Sequence, residues 1–433
     1  MESVTPEVPR DGGGAGRLVR RKWPIVVTVA VLVTGMAYGL WWPTVVRHHD
    51  YWLYSGDIWS AYRSAHYIGW GAFGSVYAVG TGVITFPGIL LLLAPMAMVT
   101  GALGMTESFP YYVPHPTAWL ALGPYEMLIG CSALFACDAL AERLGVSRGR
   151  RALLSVAQGV ALWPMLAFWG HPEDALGLAL GVYALVLALD DRWTGAGWLF
   201  GAAVATQPLV ILMLPVLLAM AGRPRVAALL ARVTLPAVVL LVTPIVTQFH
   251  ATVHELVDQP NFPRIDHVTP WTALAPKLGG TGTGVMVAAG PGRILAVLAA
   301  CVLGWWARRW RDRPEALVWA VAAALALRCL TESVLVPYYL WPPLAVGLVL
   351  ACTSRPRMLF AIAGAVAVTV SAEIRFEQWA WWASVTAGTM IVLFAGLPPT
   401  RSSRVPDEVP IPLNAPAVGP MPDHSRGLAG ATR

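Results

Sequence analysis

Twelve apolar segments recur between residues 24 and 397, and their spacing leaves few ways for this chain to fold. They run 24–46, 83–103, 119–140, 152–168, 174–189, 195–221, 226–249, 292–307, 315–331, 337–352, 358–372 and 379–397. Most approach the ~20 residues a helix needs to cross a ~30 Å hydrocarbon core. Lipid offers the backbone no hydrogen-bond partner, so each segment is expected to be helical. With 57% of 433 residues hydrophobic and only 12% charged, the composition excludes an ordinary soluble globule. The pattern predicts an all-α polytopic membrane protein of about 10–12 transmembrane or re-entrant helices, with external loops and juxtamembrane helices.

The net charge of +6 resides in short loops between apolar segments, where basic residues mark the cytoplasmic side, so nucleic acid is excluded as a partner. Residues 17–22 (RLVRRK) place the N-terminal flank in the cytoplasm, and the first apolar segment is too long for a signal-peptide core. Residues 1–22 and 398–433 are expected to be disordered cytoplasmic tails around one integral membrane domain, 23–397, with external loops at 47–82 and 250–291. Cys131, Cys137, Cys301, Cys329 and Cys352 lie in or beside apolar segments without paired spacing, and read as packing residues rather than disulfides or metal ligands.

Charge parity is consistent if two segments do not simply cross. Segment 83–103, interrupted by Pro87 and Pro95, is expected to dip into the outer leaflet and return. Segment 195–221 is expected to break at Gln207-Pro208 into two half-helices lining a cavity, because proline removes a helical hydrogen bond and clashes with the preceding turn. Polar residues then gather on one external face: Asp57, His66, His115, His171, Glu173, Asp174, the loop 254–267, Glu332, Tyr338 and Tyr339.

Each candidate has a chemical and a structural reading. Asp57 either caps the segment IWSAYRSA or acts as a general base on an attacking hydroxyl. In GHPEDALGLAL, Glu173 and Asp174 suit the first turn of a helix, while His171 is an ionisable group beside the membrane and a candidate catalytic residue. Arg264, Asp266 and His267 either form a local ion pair or bind phosphate and supply acid–base chemistry, with His267 the catalytic candidate. The run 279–284 (GGTGTG) reads as a flexible linker, since no Gly-Lys-Ser/Thr follows. Arg328, inside an apolar run, pairs either with Glu332 one turn later or with a lipid phosphate. The adjacent residues His48, His49 and Asp50 do not converge easily on one ion, so no metal or other cofactor is expected.

The order Asp57, Tyr62, Gly74, Tyr77, Pro87, Pro95 resembles bacterial, actinobacterial-type polyprenol-phosphate-mannose-dependent α-mannosyltransferases of the GT-C superfamily. The resemblance continues in GHPEDALGLALGVYALVLAL and GAAVATQPLVILMLPVLLA and spans residues 55–219. Phe86-Pro87-Gly88 stands where the family has Tyr-Pro-Pro, His171 where Gln is common and Gln207 where Lys is expected. The resemblance implies a GT-C-like fold in the cytoplasmic membrane with its site facing outside. It also implies inverting transfer of a sugar, mannose by analogy, from a polyprenyl-phosphate donor to a lipid or glycan acceptor, with Asp57 as base. Tyr62, His66, Tyr77, Glu173, Asp174, Arg264, Arg328, Tyr338 and Tyr339 are the expected donor and acceptor contacts. The broken segment at Gln207-Pro208 keeps a transporter or lipid flippase as the alternative, and the departures from the family pattern keep a noncatalytic subunit of the same fold.

Overall fold

The computed structural model describes residues 21–78, 81–83, 85–108, 112–258, 261, 263, 266–281, 284–374 and 378–398. Nearly all of both expected tails, and Arg264, lie outside these residues. Of the described residues 77% are helical, and the chain is an all-α multi-pass membrane protein. Among the described residues, seven helices are long and apolar enough to cross a bilayer: Lys22–Val46, Trp119–Arg143, Arg148–Trp169, Pro172–Leu189, Arg223–Thr247, Pro314–Thr331 and Arg355–Glu373.

In chain order the helices are α1 (Lys22–Trp41), α2 (Asp57–Gly69), α3 (Pro87–Ala102), α4 (Trp119–Arg143), α5 (Arg148–Trp163), α6 (Pro172–Leu189), α7 (Trp193–Thr206), α8 (Leu214–Ala221), α9 (Arg223–Thr247) and α10 (Phe249–Val253). They continue with α11 (Gly292–Ala307), α12 (Pro314–Thr331), α13 (Trp341–Ala351), α14 (Arg355–Glu373) and α15 (Gln378–Ala395). Helices α3, α6 and α12 start on proline, where the missing N–H leaves no internal bond unmade and the fixed φ suits the first turn. Helices α4, α6 and α7 are buried along much of their length and form the centre of the bundle, whereas α9 is largely exposed. An exposed helix with this composition matches a lipid-facing position.

The two expected interruptions turned out differently. After Thr206 the backbone of Gln207 is extended, residues 208–213 form a tight three-residue-per-turn helix, and α8 follows; the predicted break is present. Segment 83–103, by contrast, contains no reversal: α3 is one helix that carries Pro95 internally. Both flanks of α3 are nonetheless held by the Asp57 region, since the Tyr77 hydroxyl donates to the Thr85 carbonyl at 2.7 Å and the Tyr62 hydroxyl bonds that of Thr100.

Short strands lie between α10 and α13. Strand β1 (His267–Val268) pairs antiparallel with β4 (Val334–Leu335), opposing His267 to Leu335. Strands β2 (Lys277–Thr281) and β3 (Gly284–Val287) form a hairpin. Of the glycine run expected as a linker, residues 279–281 therefore lie in β2 and Gly284 in β3, with φ values of 129° at Gly279 and 117° at Gly284 that L side chains rarely adopt. All five cysteines are unbridged, and all except Cys301 are buried, as expected for packing residues.

Candidate functional site

Two distant stretches meet at Asp57. Helix α2 begins on this residue, in the first turn, where the partial positive charge of the helix end suits a carboxylate. The opposing stretch is the wide turn 164–169, which ends at Gly170 with φ 66° and delivers His171 to the start of α6. A Cβ on Gly170 would lie 2.5 Å from the Ser55 Cβ, so glycine is what lets the two backbones approach. The Ser55 hydroxyl then donates to the Trp169 carbonyl and locks the register. As a result His171 Nε2 lies 3.0 Å from Asp57 Oδ2, across 114 residues of sequence.

His171 is held on every side. Its Nδ1 lies 2.8 Å from Glu173 Oε1 and 3.8 Å from Asp174 Oδ2, and the Tyr338 ring stacks on its face at 3.8 Å between centroids. Burial by itself would favour the neutral imidazole. The Glu173 charge and the hydrogen bonds to Asp57 and Glu173 outweigh it, so the His171 pKa is raised well above the ordinary value. For Asp57, burial pushes the carboxyl up, but the hydrogen bond and charge of His171 hold it below the usual carboxylate range. Its side chain remains 60% exposed, so it is ionised and reachable.

The Asp57–His171 hydrogen bond joins the linings of two cavities. One, of about 350 Å³, is lined by Tyr54, Asp57, Trp169, His267 and Glu373. His267 is fixed there by β1 and by stacking on Trp381 at 3.6 Å, and the Trp169 indole donates to Glu373 at 3.3 Å. The other, of about 290 Å³, is lined by His171, Glu173, Asp174, Gln207, Arg293, Arg328, Tyr338 and Tyr339. Leu209, Ile211, Leu212, Ala296 and Val297 line it as well, so carboxylates, guanidinium groups and hydrocarbon share one lining. Ile211 and Val297 are also exposed at the surface of the bundle.

Arg328 sits on the last turn of α12. Its Nε donates to Glu332 at 2.6 Å, the i,i+4 partner expected from spacing, and its guanidinium lies 3.7 Å over the Tyr339 ring. Sequence reasoning missed the second arginine. Arg293 reaches the other oxygen of Glu332 at 3.1 Å because α11 and α12 nearly touch: a Cβ on Gly292 would fall 1.6 Å from the Thr331 carbonyl oxygen. The only sequence signal was a cation in the first turn of an apolar helix. Burial would raise the Glu332 pKa, but Arg328 and Arg293 keep it below its usual value. Arg328 Nη1 has no hydrogen-bond partner although the residue is buried.

The other expected residues divide cleanly. Glu173, Asp174, Arg328, Tyr338 and Tyr339 line the arginine cavity, and His267 lines the Asp57 cavity. Tyr62 and Tyr77 are fully buried with their hydroxyls bonded to Thr100 and Thr85, and His66 Nε2 lies 2.8 Å from Glu107 Oε1. Tyr62 braces α2 against α3, Tyr77 holds the chain just before α3 and His66 ties α2 to the chain after α3, and none of the three lines either cavity. Glu126 was also missed: it is fully buried on α4 with neither carboxylate oxygen bonded, in electrostatic reach of His171 and Glu173. No protein-family model matches the chain, and no curated protein matches it in sequence.

Proposed function

We propose that the protein is an inverting glycosyltransferase of GT-C type that moves a hexose, mannose by resemblance, from a polyprenyl phosphate to a lipid or glycan acceptor at the outer face of the cytoplasmic membrane. The observation that carries this reading is a single cavity lined by apolar side chains, by Arg293 and Arg328, and by the His171 that holds Asp57. A lipid-linked sugar phosphate has three parts that suit these three kinds of lining. The polyprenyl chain takes the apolar side chains, the phosphate takes the arginines through paired N–H groups, and the sugar lies toward His171.

The acceptor enters the Asp57 cavity, where Trp169 and Tyr54 offer aromatic faces. Its hydroxyl oxygen bonds to the anomeric carbon as the bond from that carbon to the phosphate oxygen breaks. The bonding electrons leave with the phosphate, which departs as polyprenyl phosphate against Arg328 and Arg293. Asp57 accepts the hydroxyl proton, and its lowered pKa keeps it in the ionised form that this requires. A single displacement with one carboxylate inverts the anomeric centre.

Purified protein in lipid nanodiscs with polyprenyl-phosphate hexoses and membrane lipid acceptors should give a glycolipid and one polyprenyl phosphate per transfer. Absence of transfer from every such donor, or full turnover by Asp57→Asn, overturns the reading. The break at Gln207-Pro208, which lines the arginine cavity, favours a second reading as a lipid flippase. Movement of a lipid-linked sugar across proteoliposomes without covalent product is the result that selects it.

A further inference from the structure

We propose that His171, Glu173 and Asp174 bind one divalent first-row metal ion of the kind that accepts mixed nitrogen and oxygen donors, behind the imidazole face that Asp57 uses. Each of the three offers one donor atom, these atoms lie within 4.8 Å of one another, and all three residues are buried. The 2.8 Å between His171 Nδ1 and Glu173 Oε1 is a separation that two donor atoms on one ion can adopt.

A second observation points to the same place. Asp174 Oδ1 accepts from Gln207 Nε2 at 2.8 Å, yet Asp174 Oδ2, which faces His171 Nδ1, has no partner at 3% exposure. Glu126 brings two more unbonded oxygens within electrostatic reach. Asp57, Glu126, Glu173 and Asp174 thus all lie in electrostatic reach of the one His171 imidazole, and the last three are buried. Buried carboxyl groups without hydrogen-bond partners are costly, and coordination of an ion is one way to satisfy them.

The donor set narrows the ion. One imidazole nitrogen with carboxylate oxygens suits zinc or manganese, whereas magnesium and calcium favour oxygen alone. An ion on Nδ1 leaves Nε2 as the N–H that donates to Asp57, the carboxylate–histidine–metal arrangement that fixes both tautomer and ring orientation. The ion therefore acts on Asp57 through the ring and positions the base. Metal binding stands on these side chains alone, so it survives even if the protein transfers no sugar.

The test uses full-length protein in detergent, stripped with EDTA, reloaded with zinc or manganese alone, freed of excess by gel filtration and assayed by mass spectrometry for bound metal. Wild type should retain one equivalent, and Glu173→Gln and Asp174→Asn should each lose it while eluting as the wild type does. X-ray absorption of the zinc-loaded wild type should show one imidazole nitrogen among oxygen ligands. That measurement decides the matter if either variant fails to fold. No metal retained by wild type, wild-type retention in both variants, or a shell of oxygen only or with sulfur overturns the site.

Discussion

Two clusters of charged side chains among the described residues, each built on a buried carboxylate, are finished to different degrees. At the C-terminal end of α4, Asp138 and Glu142 face Arg21 and Arg151, and each of the four carboxylate oxygens accepts from a guanidinium. Asp138 is only 3% exposed, and the cluster ties the start of α1 to α4 and α5. At the start of α6, by contrast, Asp174 Oδ2, both oxygens of Glu126 and Arg328 Nη1 have no partner. A network whose members are all satisfied rigidifies a fold. One that leaves buried donors and acceptors open costs stability, and it is where a bound group has the most hydrogen bonds to gain.

That contrast breaks if substitutions in the two clusters have the same effect. The largest expected effect is on catalysis: Asp57→Asn should lower glycosyl transfer by about 10²–10⁴-fold while leaving thermal unfolding in detergent unchanged. Asp138→Ala should do the reverse. Removing Asp138 leaves Arg151 and Arg21 only the exposed Glu142 and should cost about 1.5–3 kcal/mol of stability, read by denaturant or thermal unfolding, with turnover per folded molecule preserved. Next, Arg293→Gln removes a charged hydrogen-bond donor from the arginine cavity and should weaken donor binding about 10–100-fold, seen as a raised KM for the polyprenyl-phosphate sugar.

The pH profile sharpens the comparison further. Asp57 works as a base only when ionised, and its pKa lies below the usual carboxylate range. Transfer should therefore persist as pH falls through the ordinary carboxylate range and fail only below it. In His171→Asn, which removes the holding charge, that acidic limb should move upward toward the ordinary value. The smallest effect belongs to the bond that holds the chain between α2 and α3. Tyr77→Phe should cost about 1 kcal/mol of stability for its bond to Thr85 and leave KM unchanged, whereas a rise in KM would return Tyr77 to the site.

What the sequence disclosed follows the range of the forces involved. Apolar segments were legible because burial in lipid is dictated locally, and the helices coincide with them to within a few residues at most ends. The break at Gln207-Pro208 and the Arg328–Glu332 pair were legible for the same reason, being set by neighbours in the chain. Asp57 and His171 were each visible, but their contact depends on Ser55 and Gly170 meeting across the bundle, which no local pattern encodes. Arg293 was hidden because its position depends on Gly292 packing against another helix. Pro95 was given too much weight: packing outweighs the loss of one hydrogen bond, and α3 runs through it. Tyr62, His66 and Tyr77 were read as contacts because sequence order cannot tell an aromatic that faces a ligand from one that holds two helices together.

The two cavities are linked through the Asp57–His171 contact, one residue in each lining, and on the proposed reading this sets the enzyme's fidelity. A water molecule in the Asp57 cavity meets the same base and the same electrophile as the acceptor hydroxyl. Whether the chain transfers sugar or squanders it by hydrolysis then depends on how fully Tyr54, Trp169 and His267 are covered when the donor is in place. Acceptor size, rather than the strength of the base, becomes the quantity that separates a synthase from a leak.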